Sequence, residues 1–324
     1  MKINMKLKKW RFTFACLLLL GIGIAFSIPQ KTDQKKEIVM IMKIIDDSND
    51  FWSAFAQGAN MAAREYGVHL TIKGPDAETK YEEQGAMIEE SIKEKPDAVI
   101  LTPSDYIETQ KYASKIEEAG ILLVLADSVM EAEVGSCVVA TDNIEAGRKM
   151  GEYIANNFKD ASCIGIVGHV KGTSTATERE QGLREGLGKM EEKVAEVVFC
   201  DSDYRKAYQV TKEMLSRYPE MDVIAGLNEY SSVGAARAVN DLGLEGKIRM
   251  IGFDSSIKEV EYLEDGTFRA IVVQKPLNMG YLCVEKTIQL LGKEQISETV
   301  DSGSVLITKE TMYTEENQKL LFPL

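Results

Sequence analysis

The sequence predicts an α/β protein made of two doubly wound parallel-sheet lobes. Short apolar runs alternate with longer amphipathic runs along most of the chain, and the apolar runs are continuous. Continuous apolar strands between helices are typical of parallel sheets covered on both faces, because each crossover lays a helix over the sheet. With 324 residues, 44% of them hydrophobic, the chain exceeds the usual size of one domain.

The N-terminus has the three parts of an export signal. A basic stretch ends at Arg11, an apolar run covers residues 12–26, and small residues stand at Ala25 and Ser27. The run is shorter than the roughly 20 residues that span a bilayer, which favours cleavage after Ser27 over a retained anchor. We therefore predict a signal peptide or membrane anchor at 1–27, a linker at 28–36, and export to the periplasm or outer cell surface. Membrane contact is expected through this segment alone.

Charge and histidine content exclude several functions. Removing the five basic residues of the N-terminus takes the net charge from −13 to −18, and such a surface repels nucleic acid and anionic lipid. Only His69 and His169 occur in the chain, and neither has a second His or Cys at ligand spacing. We expect no metal and no cofactor. The four cysteines beyond the signal lie in or beside apolar segments without a C-x-x-C pair, so we expect buried thiols.

The predicted elements follow one another in a regular alternation. Strands are predicted at 38–45, 68–73, 98–101, 121–126, 138–140, 164–167, 195–199, 223–225, 250–253 and 270–273. Helices are predicted at 51–66, 81–93, 107–119, 144–158, 179–190, 205–218, 233–242, 257–264 and 277–291. So many strands exceed one comfortable sheet, and they divide at the polar break Thr141-Asp142-Asn143 into halves of about five.

The strand-end loops are the expected place for a ligand. Ligands of open parallel sheets bind beyond the carboxyl ends of the strands, so two facing lobes would put such loops on both sides of one cleft. After the first strand, Phe51 and Trp52 can stack on the apolar face of a ring while Asn49 hydrogen-bonds to its edge. The alternative is a helix cap at Ser48 or Asn49 with one aromatic packed inward.

Four other strands end in short acids or amides, namely Asp127, Asn228, Asp254 and Gln274. Each alone is explained equally well as turn or cap chemistry. Together with Asn49 they suit a polyhydroxylated ligand, since a phosphate site would call for Arg and Lys. The segment 172–182 lacks the spacing of a phosphate loop, and its hydroxyls are better read as a helix cap.

These motifs, in this order, resemble a known family. The chain is similar to periplasmic sugar-binding proteins of the ribose-binding type, which share their fold with the lactose-repressor core, over residues 37 to about 308. The motifs that carry the likeness are Asn49-Asp50-Phe51-Trp52, Thr102-Pro103-Ser104-Asp105, Asp127, Gly172-Thr173-Ser174 with Glu178-Arg179, Asn228-Glu229, Gly252-Phe253-Asp254 and Gln274.

The resemblance implies a type I periplasmic binding protein fold, with the lobes joined by a three-strand hinge. The N-terminal lobe would be 37–141 plus 275–302, and the C-terminal lobe 142–274 plus 303–324. The ligand would lie between them, contacting Asn49, Phe51, Trp52, Asp127, Thr177, Asn228, Asp254 and Gln274, with Asp105 and Arg179 in supporting positions.

Two departures from the family argue against ribose itself. Thr177 and Ser128 stand where the family has arginines near the ligand, and a hydroxyl cannot replace a guanidinium's charge-assisted hydrogen bonds. The stacking aromatic of the second lobe is also missing near Ser202, although Tyr204 can substitute.

The predicted function is therefore capture of a sugar or similar polyol outside the membrane for uptake by an ABC transporter. The alternative is a sensor that passes the closed form to a membrane receptor or sensor kinase. An enzyme is disfavoured because two isolated histidines are too few, although Asp127 and Asp254 can in principle serve as acid and base. A DNA-binding repressor is excluded because the export signal occupies the place of a helix-turn-helix.

Overall fold

The computed structural model describes residues 35–322, and the chain from Lys36 onward forms one compact unit. The predicted signal segment at 1–27 and nearly all of the linker at 28–36 lie outside the described residues. In the described part of the chain, no helix is both long and apolar enough to cross a membrane.

Strands and helices alternate along almost the entire described chain. In order they are β1 (Glu37–Ile41), α1 (Asp50–Tyr66), β2 (His69–Lys73), α2 (Tyr81–Glu94), β3 (Ala98–Leu101), α3 (Gln110–Glu118), β4 (Leu122–Ala126), β5 (Val138–Ala140), α4 (Asn143–Asn157), β6 (Ile164–Gly168), α5 (Ser174–Leu187), a 3₁₀ turn (Gly188–Lys193), β7 (Val194–Phe199), α6 (Tyr204–Arg217), β8 (Val223–Gly226), α7 (Glu229–Asp241), β9 (Arg249–Phe253), α8 (Ile257–Asp265), β10 (Phe268–Gln274), α9 (Pro276–Leu291), β11 (Thr299–Asp301), β12 (Ser304–Thr308) and α10 (Glu315–Leu321).

The strands form two six-stranded sheets. The first has the order β11-β5-β4-β3-β1-β2 and is parallel throughout. The second has the order β12-β10-β9-β8-β6-β7 and is parallel except for β12, which runs antiparallel to β10. The predicted fold class of two parallel-sheet α/β lobes is confirmed.

The chain passes between the sheets three times. The passages lie between Ala140 and Asn143, between Gln274 and Pro276, and between Asp301 and Ser304. Thr141 ties all three together, because its hydroxyl donates to Gln274 Oε1 at 2.8 Å and lies 3.2 Å from Ser302 Oγ. Each sheet is consequently built from non-contiguous segments.

Apolar side chains cover both faces of each sheet. The central strands β1, β3, β6 and β8 are almost wholly buried, which explains their unbroken apolar sequence. The four cysteines of the described residues, Cys137, Cys163, Cys200 and Cys283, are buried and unpaired.

Several predicted boundaries differ from the structure. The first strand ends at Ile41 rather than at residue 45, so Lys43 lies in the following loop. Helix α5 begins at Ser174 instead of 179 because Thr173 caps it, and α7 begins at Glu229 instead of 233 because Asn228 caps it. The strand and helix predictions did not include β11, β12 or α10, each seven residues or shorter.

Candidate ligand-binding site

A cavity lies where the strand-end loops of the two sheets meet. Its empty space is about 310 Å³, including the part open to solvent. The lining residues are Lys43, Asn49, Phe51, Trp52, Glu78 and Asp127 from the first lobe, and His169, Thr175, Arg179, Asn228, Glu229, Tyr230, Asp254 and Gln274 from the second. Side chains far apart in the sequence therefore converge on one space.

Seven of the eight residues predicted to contact ligand line this cavity, namely Asn49, Phe51, Trp52, Asp127, Asn228, Asp254 and Gln274. Their contact with a ligand remains a prediction. Their position follows from the topology, because each stands at the carboxyl end of a parallel strand or in the loop or helix start that follows it.

Thr177, the eighth, is not at the cavity. It is exposed, and its hydroxyl donates to the Thr173 carbonyl at 3.0 Å. On α5, Thr175 and Arg179 are four residues apart and share the face that lines the cavity. Thr177 lies two residues from each, about 200° around the helix, and therefore points the other way.

The two residues predicted in supporting positions lie in different places, and their supporting role stays a prediction. Asp105 does not line the cavity; its carboxylate accepts hydrogen bonds from the backbone N–H groups of Ile107 and Glu108, at 2.8 and 2.7 Å, and so forms a turn. Arg179 lies at the cavity wall itself and is buried, rather than standing behind the wall.

The aromatic side chains that the first lobe contributes to the cavity stand at the N-terminus of α1. Asn49 Oδ1 accepts from the Trp52 backbone N–H at 3.0 Å, so Asn49 caps the helix and lines the cavity at once. Phe51 and Trp52 pack edge to face with ring centroids 4.9 Å apart. In the second lobe Tyr230, not the expected Tyr204, lines the cavity; the two rings are 4.6 Å apart by their centroids.

Lys43 and Asp127 form a buried ion pair within the first lobe. Lys43 Nζ lies 2.6 Å from Asp127 Oδ2, which also accepts from Ser128 Oγ at 2.7 Å. The ammonium also donates to Ser128 Oγ and stands 5.6 Å from the Trp52 ring centroid. Burial opposes ionisation of Asp127, but the charges of Lys43 and Arg179 hold its pKa below the ordinary value.

Arg179 organises the second lobe's side of the cavity. Its Nε donates to Asn143 Oδ1 at 2.9 Å, one terminal nitrogen to the Leu227 carbonyl at 2.9 Å, and the other to Gln274 Oε1 at 3.2 Å. The guanidinium carbon lies 4.1 Å from the Phe253 ring centroid. Burial lowers the Arg179 pKa, against the attraction of the cavity carboxylates, yet a guanidinium stays protonated near neutral pH.

Three further carboxyl groups, Glu78, Glu229 and Asp254, stand at the wall and are buried. Burial raises the pKa of all three, and that of Glu229 reaches about 8. His169 is also buried, and desolvation, together with Arg179 and Lys43, holds its pKa well below the ordinary value, so its ring is neutral. Its Nε2 lies 2.9 Å from Thr175 Oγ1, while Nδ1 has no hydrogen-bond partner among the described residues.

The lobes are in direct contact across the cleft. Tyr230 OH donates to Asp46 Oδ2 at 2.6 Å, and the Ile257 backbone N–H donates to Asp50 Oδ2 at 2.9 Å. The Val129 backbone N–H also reaches Ser174 Oγ, at 3.0 Å. These bonds define a closed arrangement of the two lobes.

Six cavity residues were not predicted from the sequence as site residues, namely Lys43, Glu78, His169, Thr175, Glu229 and Tyr230. Lys43 fell inside a strand predicted to run to residue 45, where a lysine in an otherwise apolar run was the available signal. Glu78 lies in a loop five residues beyond β2, and no local pattern marks it.

Two α/β lobes closed over a polar cavity at their strand ends define a two-lobed ligand-binding protein. The chain belongs to the family with a periplasmic binding protein domain, whose model matches residues 38–295. The resemblance to the ribose-binding type is thereby confirmed.

Three similar proteins illustrate the range of the family. A structure described as a sugar transporter from Clostridium phytofermentans is 44% identical, covers 85% of this chain and all of that chain, and has a TM-score of 0.81. An ABC transporter solute-binding protein from Agrobacterium vitis with bound D-fucose is 28% identical, covers 88% of this chain and all of its own, and has a TM-score of 0.83. The D-ribose/D-allose-binding protein of Pseudomonas aeruginosa is 25% identical over 82% of this chain and 85% of its own length.

Proposed function

We propose that this protein is an extracytoplasmic solute-binding protein that captures a sugar between its lobes for uptake by an ABC transporter. The observation that carries the proposal is the cavity between the lobes, where Phe51 and Trp52 stand opposite hydrogen-bonding acids and amides. Apolar faces with a few placed polar groups are the usual arrangement for binding a small polar ring. Similar proteins described as a ribose import binding protein and as an ABC transporter solute-binding protein support uptake rather than sensing.

The mechanism we propose is hinge closure. The lobes, 37–141 plus 275–302 and 142–274 plus 303–324, would rotate about the three passages between the sheets. Ligand contacts made by both lobes would offset the cost of closing, and the transporter would recognise the surface of the closed form. Asn49, Phe51, Trp52, Asp127, Asn228, Asp254 and Gln274 are the proposed ligand contacts.

We propose that the protein catalyses nothing. Asp127 and Asp254, the two acids that offered an alternative, are held by Lys43 and by Gln274 respectively, at 2.6 and 2.7 Å. His169 has no carboxylate partner among the described residues to orient it as a base. Incubating the purified protein with candidate sugars and analysing the mixture by chromatography should return each sugar unchanged.

We further propose that residues 1–27 direct export, with cleavage after Ser27 and no lasting membrane contact. The N-terminal residue of the secreted chain, read by mass spectrometry, tests this. A chain that starts at Met1 and sediments with membranes would instead indicate an anchor.

The binding proposal is tested by a thermal-shift screen of residues 28–324 against pentoses, hexoses and polyols. A bound ligand raises the melting temperature, because binding to the folded state alone adds RT ln(1 + [L]/Kd) to its stability. Asn228→Ser is a suitable site variant, since serine keeps the helix cap but withdraws the amide from the cavity. We expect this variant to lose most of the shift while its unliganded melting temperature stays near the parent's. If no small polar solute shifts the parent, the proposal is wrong.

A further inference from the structure

The cavity wall carries more acidic than basic groups. Four carboxyls line it, from Glu78, Asp127, Glu229 and Asp254, against only two cations, from Lys43 and Arg179. His169 adds no positive charge, because its ring is neutral.

Only one of these carboxyls has a cation as a direct partner. Lys43 forms its ion pair with Asp127. Arg179 donates its three hydrogen bonds to neutral oxygens of Asn143, Leu227 and Gln274. Among the described residues, Glu78, Glu229 and Asp254 have no salt-bridge partner.

The hydrogen bonds of Asp254 are those of an ionised group. Gln274 Nε2 donates to Oδ1 at 2.7 Å, and the Glu229 backbone N–H donates to Oδ2 at 2.9 Å. A protonated carboxyl needs an acceptor for its proton, and these two partners are donors.

Glu78 and Glu229 are likewise acceptors at both oxygens. Glu78 accepts from Trp52 Nε1 at 3.3 Å and from Ser202 Oγ at 2.9 Å. Glu229 accepts from the Phe51 backbone N–H at 3.3 Å and from the Tyr204 hydroxyl. Each site has one partner that can only donate and one hydroxyl that can donate or accept, so either carboxyl can stay neutral on its own and become a carboxylate when a cation reaches it. Among the described residues, neither has a counter-charge.

We propose that the ligand is an amino sugar, whose protonated amine supplies the positive charge that the cavity wall lacks. This inference rests on the proposed function and specifies its ligand class. An unpaired buried carboxylate is costly, and a charge-assisted hydrogen bond from an ammonium offsets that cost. The raised pKa values of Glu78, Asp254 and Glu229 are consistent with buried carboxyls that have no cation beside them. The net charge of −13 also draws cations toward the protein.

Matched pairs of sugars test the inference by isothermal titration calorimetry on residues 28–324, which contain the compact unit from Lys36 onward. The probes are glucosamine, galactosamine and mannosamine, each with its parent hexose, its N-acetylated form and the corresponding uronic acid, at pH 7. We expect at least one amine to bind about tenfold or more tightly than its parent hexose, a difference of about 1.4 kcal/mol, and the uronic acids to bind least.

The outcomes separate the two proposals. If a neutral hexose or its N-acetylated form binds as tightly as the amine, the amino-sugar inference fails and the sugar-binding function stands. If calorimetry detects no binding of any sugar, and no solute raises the melting temperature in the thermal-shift screen, both the amino-sugar inference and the sugar-binding proposal fail.

The variant Glu78→Gln tests whether Glu78 causes the preference for the amine over the parent hexose. A glutamine can turn its oxygen to Trp52 Nε1 and donate its amide to the Ser202 hydroxyl, so the change removes charge while keeping the hydrogen bonds. We expect the ratio of the hexose and amine dissociation constants to fall about tenfold, and Glu229→Gln to act in the same direction. Glu82→Gln, on the exposed start of α2, is the control and should keep the parent's ratio. An unchanged ratio in both cavity variants would overturn the inference.

Discussion

Asp127 and Asp254 occupy equivalent places in the two lobes. Each directly follows a strand and has a left-handed backbone, with φ of 60° and 89°. Among residues with a side chain, Asp and Asn tolerate that region best, so the chain can turn sharply at the strand end and still present a carboxylate to the cavity. A β-branched substitution at either position would strain the turn as well as remove the charge.

Asp127→Asn tests whether the Lys43 ion pair stabilises the fold. Asparagine keeps the shape and tolerates the left-handed backbone, but it leaves the Lys43 ammonium buried without a counter-ion. We expect urea unfolding at pH 7 to show a loss of about 3–5 kcal/mol in the free energy of unfolding. The double variant Lys43→Met with Asp127→Asn should recover most of it. A single variant as stable as the parent would show that the pair contributes little.

Two threonines on α5 offer a matched test of which helix face binds ligand. Thr175 lines the cavity beside His169, whereas Thr177 is exposed. For whichever sugar the screen identifies, Thr175→Ala should weaken binding about threefold to tenfold, the value of one hydrogen bond. Thr177→Ala should bind like the parent. Calorimetry that shows the reverse order would mean that α5 presents its other face to the ligand.

Residues at strand ends could be predicted from the sequence because topology alone brings them together. Asn49, Asp127, Asn228, Asp254 and Gln274 needed only a correct assignment of the strands. Thr177 lies away from the cavity, because matching a motif takes no account of the rotation of 100° per residue around the helix. Glu78 required knowledge of how a loop folds back over the sheet.

At the scale of elements, some residues that begin a helix also line the cavity. Asn49 and Asn228 cap α1 and α7 while lining the cavity, so a cap signal and a ligand signal are indistinguishable in the sequence. The caps also account for the late predicted start of α7, since the hydrophobic pattern begins several residues after the cap. Strand β11 is only three residues long, which is too short for any periodic signal.

Helices α4 and α5 pack closely against each other through glycine. A Cβ added at Gly182 on α5 would lie 1.9 Å from the Ile144 carbonyl oxygen of α4. Gly182→Ala should therefore force the helices apart and lower the free energy of unfolding by about 3 kcal/mol, despite the better helix propensity of alanine.

Gly292→Ala provides the control for this packing prediction. Gly292 has a φ of −76°, and a Cβ there would first meet the Gln289 carbonyl oxygen at 3.3 Å. We expect a change within about 1 kcal/mol by denaturant unfolding. Equal effects of the two alanines would show that the helices can separate at little cost.

At the scale of the whole molecule, the hinge and the cavity share one side chain. Gln274 accepts from Thr141 at a passage between the sheets and donates to Asp254 at the cavity wall, at 2.8 and 2.7 Å. Arg179 adds a second donor to the same Gln274 oxygen. A ligand that rearranges Asp254 would therefore act directly on the segment about which we propose that the lobes turn.

Burial of acids at the closed cleft also predicts how stability depends on pH. The pKa of Glu229 rises from 4.5 to about 8, mainly because burial disfavours the charged form. Between those two values the unfolded chain has released a proton that the folded chain keeps, so stability falls as pH rises and levels off above pH 8. Burial alone would raise the pKa of Asp46, but its hydrogen bonds with Ser48 and Tyr230 lower the pKa overall. Asp46 therefore has the opposite effect, since the stability that it contributes is lost as the pH falls through the acid range.

Glu229→Gln isolates this contribution in the absence of ligand. Glutamine can keep both hydrogen bonds, to the Phe51 backbone N–H and the Tyr204 hydroxyl, and it has no proton to lose. Calorimetric melting temperatures at fixed ionic strength should therefore fall less between pH 5 and 8 in the variant than in the parent. Some decline should remain, because Glu78 and Glu259 also have raised pKa values. Glu82→Gln should follow the parent, and a Glu229→Gln curve parallel to the parent's would mean that this carboxyl releases its proton outside the window.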